Sequence, residues 1–305
     1  MNSTQETWLV TGASGCIGAW TALTLVREGV EVVALDRSTD DRRLRMIASD
    51  DECARIVSVQ ADITDLAALE RILAEHAITH VVHLAALQAP FCRADPPAGA
   101  MVNVAGTTNL LEAIRRHGLA TPLAYASSAA VYDGAGEAFS PTTVYGVYKI
   151  ANEGTARIYW QDHQVASIGL RPLIVYGPGR DQGMTASPTE AMFAAAHGEA
   201  FTITFGGSTQ LQYAPDAARA FVDAARRPAA GADVFNLGGP DVSMPEIVAA
   251  IEVAVPGAEV AFDDVALPFA SRLPEPWFDM PVTPLEQGVR ETIEVFARVA
   301  SGGAA

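Results

Sequence analysis

Cysteine is scarce in this chain of 305 residues, with only Cys16, Cys53 and Cys92. An odd number at wide spacing gives no disulfide framework and no Cys-x-x-Cys metal or redox motif. The simplest reading is a reduced, cytoplasmic compartment. Basic charge is also scarce. Lys and Arg together number 20 against 36 Asp and Glu, a formal net charge of −16. That balance excludes a general attraction to nucleic acid or to an anionic lipid surface. The pairs Arg42-Arg43 and Arg226-Arg227 are too short to reverse it. No apolar run reaches the ~20 residues of a membrane span. The polar amino-terminal tail runs into a strand without the basic and apolar regions of a secretory signal. No membrane partner is therefore expected. The six histidines show no metal-ligand spacing, so no metal is expected either. Internal repeats and low-complexity tracts are missing.

What is present suits a compact enzyme. Half of the residues are hydrophobic and 18% are charged, enough for a large core in one or two domains. Apolar runs at Thr7–Thr11, Val30–Leu35, Ile56–Gln60, His80–Leu84, Leu123–Ala126 and Val165–Leu170 read as strands. Helical segments separate them at Cys16–Glu28, Leu66–Glu75, Ala98–His117 and Thr143–Tyr159. Continuous apolar strands alternating with helices predict an α/β fold, a doubly wound parallel sheet of Rossmann type. The rhythm changes after Gly177-Pro-Gly179. Helices are expected at Ala186–His197, Asp216–Ala225, Pro245–Ala254 and Leu285–Arg298, with strands at Phe201–Phe205 and Asp233–Leu237. Val265–Pro284 is proline-rich and reads as irregular, and the 301–305 tail as frayed. The expected division is a dinucleotide-binding domain over 1–178 and a smaller mixed α/β substrate domain over 179–305. The two are interleaved, with segments near 206–240 completing the first.

Two motifs carry chemistry. Gly12, Gly15 and Gly18 follow the first strand and open the first helix, the context of a dinucleotide loop. Gly12 permits the turn, Gly15 lets backbone approach a pyrophosphate, and Gly18 lets helix pack on sheet. Asp36 ends the second strand, roughly twenty residues on, where a carboxylate accepts from a ribose 2′-hydroxyl and repels a 2′-phosphate. NAD is favoured over NADP. Arg37 either pairs with a phosphate or is a solvated loop charge. Asp62 either holds the adenine amino group or caps a turn with Thr64 and Asp65. The second motif is Tyr145-Gly-Val-Tyr-Lys149. Residues four apart on a helix share a face, so the Lys149 charge can favour a Tyr145 phenolate and fit it for acid–base work. Tyr148 points elsewhere.

Together these motifs resemble the extended short-chain dehydrogenase/reductase family, which includes NAD-dependent sugar epimerases and dehydratases. The matching pieces are TGASGCIG at 11–18, Asp36, Ala61-Asp62-Ile63, HLAALQ at 83–88 and NVAGTTN at 103–109. YASSAAVY at 125–132, YGVYK at 145–149, LRPLIVYGPGR at 170–180 and FNLGG at 235–239 follow in family order. The resemblance implies Ser128, Tyr145 and Lys149 as the catalytic set, with Ser127 a second polar contact. It places Ser14, Cys16, Ile17, Ile63, Leu84, Ala85, Ala86, Gln88, Asn103, Ala126, Pro172 and Val175 at the cofactor. Asn103 can equally be a helix-internal structural amide. By the same likeness, the helices Ala98–His117 and Thr143–Tyr159 would pair two subunits into a homodimer.

Ile174 stands where many relatives carry an Asn that meets a nucleotide-diphosphate sugar. Leu211 stands in place of their diphosphate-binding Arg. A third basic contact is not recognisable, with only Arg272 near it. Phosphates without charge-assisted hydrogen bonds bind poorly. The expected reaction is NAD-dependent oxidation or reduction of a carbinol on a small polar substrate: a sugar, polyol, uronate or hydroxy acid. A sugar epimerase is the alternative, and a non-catalytic NAD sensor a third reading. Gln88, Ser127, Arg180 and Gln212 are candidates for lining the substrate pocket, Arg180 and Gln212 being ordinary loop polarity otherwise. Cys92 lacks a base beside it and reads as a bystander, and His83 reads as structural.

Overall fold

A computed structural model describes residues 6–133, 139–267 and 270–300. Pro268 and the 301–305 tail lie outside the described residues. Within the described residues, thirteen strands run as β1 (Thr7–Thr11), β2 (Glu31–Asp36), β3 (Ile56–Gln60), β4 (His80–His83), β5 (Leu123–Ala126), β6 (Ser167–Arg171), β7 (Ile174–Tyr176), β8 (Phe201–Ile203), β9 (Ser208–Tyr213), β10 (Ala232–Leu237), β11 (Asp241–Ser243), β12 (Val260–Phe262) and β13 (Trp277–Phe278). The α-helices are α1 (Cys16–Arg27), α2 (Arg42–Ile47), α3 (Asp50–Ala54), α4 (Leu66–Glu75), α5 (Ala89–Ala94), α6 (Pro96–Ala100), α7 (Gly106–His117), α8 (Val144–His163), α9 (Ser187–Ala196), α10 (Ala214–Arg226), α11 (Met244–Ala254) and α12 (Leu285–Ala300).

Eight strands form one sheet in the order β13-β10-β6-β5-β4-β1-β2-β3, and every pairing in it is parallel. Its central strands are buried apolar runs because helices cover both faces. On one face, Val26 of α1 and Phe221 of α10 pack with Trp8, Val10 and Val82. On the other, Leu69 of α4, Leu110 of α7 and Ala156 of α8 pack with Leu9, Val81 and Tyr125. The strand order reverses at β1, between β2 and β4, so the crevice for a ligand opens at the carboxyl ends of these strands. The expected doubly wound sheet is present.

A second core holds β7, β9 and β11 with α9, α11 and α12. Ile174, Met192, Leu211, Ile251 and Phe296 meet there. In the three-stranded sheet β11-β9-β7, β9 runs parallel to β7 and antiparallel to β11. β8 and β12 form a separate parallel pair.

Two expectations need amendment. The long helix predicted over Ala98–His117 is continuous in path but carries a π turn at Met101–Ala105. Such turns widen a helix locally and often mark functional positions. Here Asn103 lies in the wide turn, its carbonyl accepting from Thr107 Oγ1 at 2.7 Å. Among its described residues the proline-rich segment contains one short strand, β13, which lies parallel to β10 at the sheet edge.

Candidate active site

The turn after β1 is built by close backbone approach. Gly12 has φ +72°, and a Cβ on it would stand 2.5 Å from Ala85 N. A Cβ on Gly18 would stand 2.1 Å from the Gly12 carbonyl oxygen. Gly15 is the N-cap of α1 and offers no side-chain cap. The first amides of α1 and the helix dipole therefore form an anion site of the kind that holds a pyrophosphate. Cys16 and Ile17 occupy the first turn of α1. The Cys16 thiol faces the Pro178 carbonyl at 3.7 Å, and burial pushes it up to about 12.

Asp36 stands at the end of β2, accepting from Ser14 N and Ser38 N at 3.0 Å each. Arg37 beside it is exposed. Asp62 accepts from the Thr64 amide and hydroxyl at 2.8 Å each, while Asp65 caps α4. Asp62 thus shapes the turn with Thr64, and these bonds hold its carboxyl below the usual range. Ile63 is buried against Gly106. Leu84 and Ala85 hang on Thr11, through its carbonyl at 3.0 Å and its hydroxyl at 3.4 Å. Ala86 is half-buried beside them.

Ser128, Tyr145 and Lys149 converge at the carboxyl end of β5. Ser128 caps a short 3-10 turn, Ala129–Val131, accepting from Ala130 N at 3.1 Å. The Pro172 carbonyl holds the same turn through Ala129 N at 2.9 Å. Thr143 caps α8 through Gly146 N, which sets Tyr145 in the first turn and Lys149 one turn on. Lys149 is buried, and its Nζ donates to the Ala126 carbonyl at 2.6 Å, 5.5 Å from the Tyr145 ring centre. The Ser128 side chain is close enough to the Tyr145 phenol to draw its pKa downward.

The electrostatics differ from the sequence expectation. Burial pushes Tyr145 up to about 12, and the pull downward comes from the Ser128 hydrogen bond and the charge of Arg180. Lys149 stands one turn further along α8. Its ammonium is turned to the β5 carbonyl, and burial brings it down to about 8. The phenol is accordingly protonated near neutral pH in this geometry.

The remaining predicted residues separate into two groups. Gln88 and Arg180 come together: Gln88 Oε1 and Arg180 Nη2 lie 2.7 and 3.2 Å from the position of a Cβ on Gly183. Arg180 Nη2 donates to Thr185 Oγ1 at 3.0 Å. Three others are hydrogen-bonded within the protein. The Ser127 hydroxyl bonds Glu153, which pairs with the buried Arg171 at 2.7 Å. Asn103 is clamped to Leu87, accepting from its amide at 2.7 Å and donating to its carbonyl at 2.9 Å. Gln212 is buried in β9 opposite Val175. It accepts from Leu173 N at 2.9 Å and donates to the Leu237 carbonyl at 2.6 Å. Ser127 and Gln212 thus have polar atoms bonded within the scaffold. The Cys92 thiol donates to the Leu87 carbonyl, and burial raises it.

No pattern in the sequence pointed to Arg43. It donates to the Ser14 and Gly179 carbonyls at 2.8 and 3.1 Å and pairs with Asp181 at 2.6 Å. It thereby ties the glycine loop to the loop after β7. Among the described residues, no group of three or more His, Cys, Asp or Glu is placed to hold a metal.

A glycine turn, an uncapped helix start and a carboxylate ending β2 fit a dinucleotide. Residues 8–238 match the model of the NAD-dependent epimerase/dehydratase family. The chain belongs to that family. It is an NAD-dependent enzyme of the extended short-chain dehydrogenase/reductase type. Among the relatives of this family member, UDP-glucose 4-epimerase of Mycolicibacterium smegmatis is 34% identical over 264 residues, 81% of this chain and 82% of that protein. The structure of UDP-glucose 4-epimerase from Thermus thermophilus in complex with NAD is similar, with TM-score 0.78 and 26% identity over 95% of this chain and 98% of that one. L-threonine dehydrogenase from Clostridium difficile gives TM-score 0.82 at 20% identity, over 97% of this chain and 98% of that one. At that identity the likeness is one of fold.

Proposed function

We propose that this chain is a dehydrogenase acting on a carbinol of a small polar substrate: a sugar, polyol, uronate or hydroxy acid. One observation supports the small substrate. Ile174 and Leu211, which replace the expected diphosphate contacts, are cross-strand partners in β7 and β9, and both are buried in the second core. They are packing residues, with no charge to offer a diphosphate. Arg272 is exposed and pairs with Asp241 at 3.2 Å.

In this reading the amides at the start of α1 hold the NAD pyrophosphate, and Asp36 takes the adenosine ribose. Bound NAD supplies the acceptor for the carbinol hydride. Ser128 and Tyr145 hold the carbinol oxygen between their hydroxyls. Tyr145 exchanges the carbinol proton: as phenolate it accepts the proton on oxidation, and as phenol it returns it on reduction. The high affinity of the buried phenol for its proton suits the second role at neutral pH. Lys149, fixed by the Ala126 carbonyl, presents a cation one helical turn from Tyr145. Gln88, held at the start of α5, borders the substrate. Asn103 acts through the Leu87 peptide that precedes it and is a positioning residue.

The test is Tyr145→Phe. Turnover, followed as NADH absorbance across sugars, polyols and their acids, should fall about 10²- to 10⁴-fold. NAD binding by calorimetry should survive. Unchanged turnover would remove Tyr145 from the mechanism.

Epimerisation is the second reading, supported by the similarity to a UDP-glucose 4-epimerase. It requires NAD retained through purification and product without net NADH. We also take the chain to be a cytoplasmic homodimer with two interleaved units, near 1–178 and 179–305. Met101, Val147 and Ile158 are exposed apolar residues along the helical stretch that ends in α7 and along α8, a surface suited to a second copy. Sedimentation of wild type against Ile158→Asp tests it, with a monomeric wild type counting against a dimer.

A further inference from the structure

Arg180 is a guanidinium with unused capacity. Its Nη2 donates to Thr185, but its Nε is buried and finds no acceptor in the protein. An unmet buried donor beside a cation is costly. Asp181, next in the chain, is turned away to Arg43 at 2.6 Å and Arg42 at 3.3 Å. Among the described residues no ion pair includes Arg180. Its charge draws down the pKa of both the Tyr145 phenol and the Cys16 thiol. Gln88 Oε1 lies on the same side of the loop, against Gly183.

The chain as a whole carries a formal charge of −16. Such a field repels anions, so an anionic substrate needs a local cation within the cleft. A planar guanidinium matches a carboxylate in a two-point bond. One cation suits a monoanion better than a diphosphate. We propose that Arg180 binds a carboxylate of the substrate, which makes this enzyme specific for carbinols of sugar acids or hydroxy acids. The inference rests on the dehydrogenase reading and narrows its substrate class. Thr185 fixes the plane of the fork, Gln88 meets a neighbouring hydroxyl, and the carbinol falls between Ser128 and Tyr145.

The test compares matched probes on the intact enzyme saturated with NADH. Calorimetric titrations use D-galacturonate against D-galactose and D-glycerate against glycerol. Each acid should bind about ten- to a hundred-fold more tightly than its neutral partner, the range for a charge-assisted hydrogen bond. Arg180→Met should abolish that ratio, and Arg180→Lys should restore part of it, charge without the fork. NADH affinity should stay the same in both variants. Equal affinities for acid and neutral partner in the wild type, no binding of either included, overturn the proposal. So does a loss of NADH affinity in Arg180→Met matching the loss of acid affinity, which assigns Arg180 to the pyrophosphate. Binding to the NADH complex needs no turnover. Failure of the dehydrogenase reading would show separately, as no NADH formed from NAD with any probe.

Discussion

Lys149 is the only lysine in the chain, and it is buried beside a tyrosine. Burial lowers it to about 8 from an ordinary value of 10.5. Between those values the unfolded chain holds a proton that the folded chain has released, so this group makes stability rise with pH there. Because the lysine is unique, its titration can be read directly. Reductive ¹³C-methylation should give one lysine resonance besides the α-amine, with a midpoint near 8. A midpoint near ~10, the unperturbed value, would mean that the ammonium is solvated. His83 is a second buried titratable group. Thr107 donates its hydroxyl proton to the Asn103 carbonyl, so His83 Nε2 must donate to Thr107 Oγ1 at 3.0 Å, and Nδ1 accepts from Thr11 at 2.7 Å. Burial and the Lys149 charge bring His83 down to about 3. The unfolded histidine takes up its proton from about pH 6.5 downward, so stability should fall on acidification across that window, by up to about 1.4 kcal/mol per pH unit. Urea unfolding between pH 7 and 4 checks this, and His83→Asn should flatten the slope. Tyr145 and Lys149 were legible because their spacing on a helix suggests the chemistry, and Ser128 only through the family resemblance. The sequence could not distinguish Gln212 or Asn103 from ligand contacts. An amide facing a pocket and an amide facing a backbone are the same letter, and only strand register and the π turn decide between them.

At the scale of elements, the site depends on how closely α8 approaches the turn after β5. Gly146 lies in the first turn of α8, and a Cβ there would stand 2.1 Å from the Ala130 carbonyl oxygen. Glycine at this position allows the contact that brings Tyr145 to Ser128. Gly146→Ala should displace the helix start and lower kcat about 100-fold, the cost of a misplacement near ~1 Å. NAD affinity should change less, since the glycine loop lies on α1; equal losses in kcat and NAD affinity would point to general unfolding instead. β7 and β9 give the complementary case. Leu211→Arg would put an unpaired charge into an apolar core and should destabilise the chain by about 3 kcal/mol or more. It should do so without creating affinity for UDP-glucose, which calorimetry can check. The long strands and helices of the large sheet were legible from their periodicity. β7, β11, β12 and β13 have only two or three residues each, too few for an alternation to register, and their pairing is set by tertiary contacts.

At the scale of the molecule, the chain passes repeatedly between its two cores. It leaves the large sheet after β6 for β7, α9, β8 and β9, returns for α10 and β10, and leaves again for β11 and α11. α10 packs on the same face as α1, so the core beside the glycine loop is completed by residues more than half the chain away. Arg43 adds a polar tie from the Ser14 carbonyl to Gly179 and Asp181. The two cores are thus linked by several crossings of the chain. We therefore propose that the two unfold together, whatever boundary the sequence suggests between them. Calorimetry should give one transition, with calorimetric and van't Hoff enthalpies that agree. NAD at about 100 times its Kd should shift that whole transition by about 2.7 kcal/mol. Two transitions, with only one of them moved by NAD, would show that the cores are energetically independent. Arg43→Ala should then be informative in either case. If Arg43 helps to join the cores, the variant should broaden or split the transition as well as lower its midpoint, whereas a simple surface ion pair would leave the shape intact.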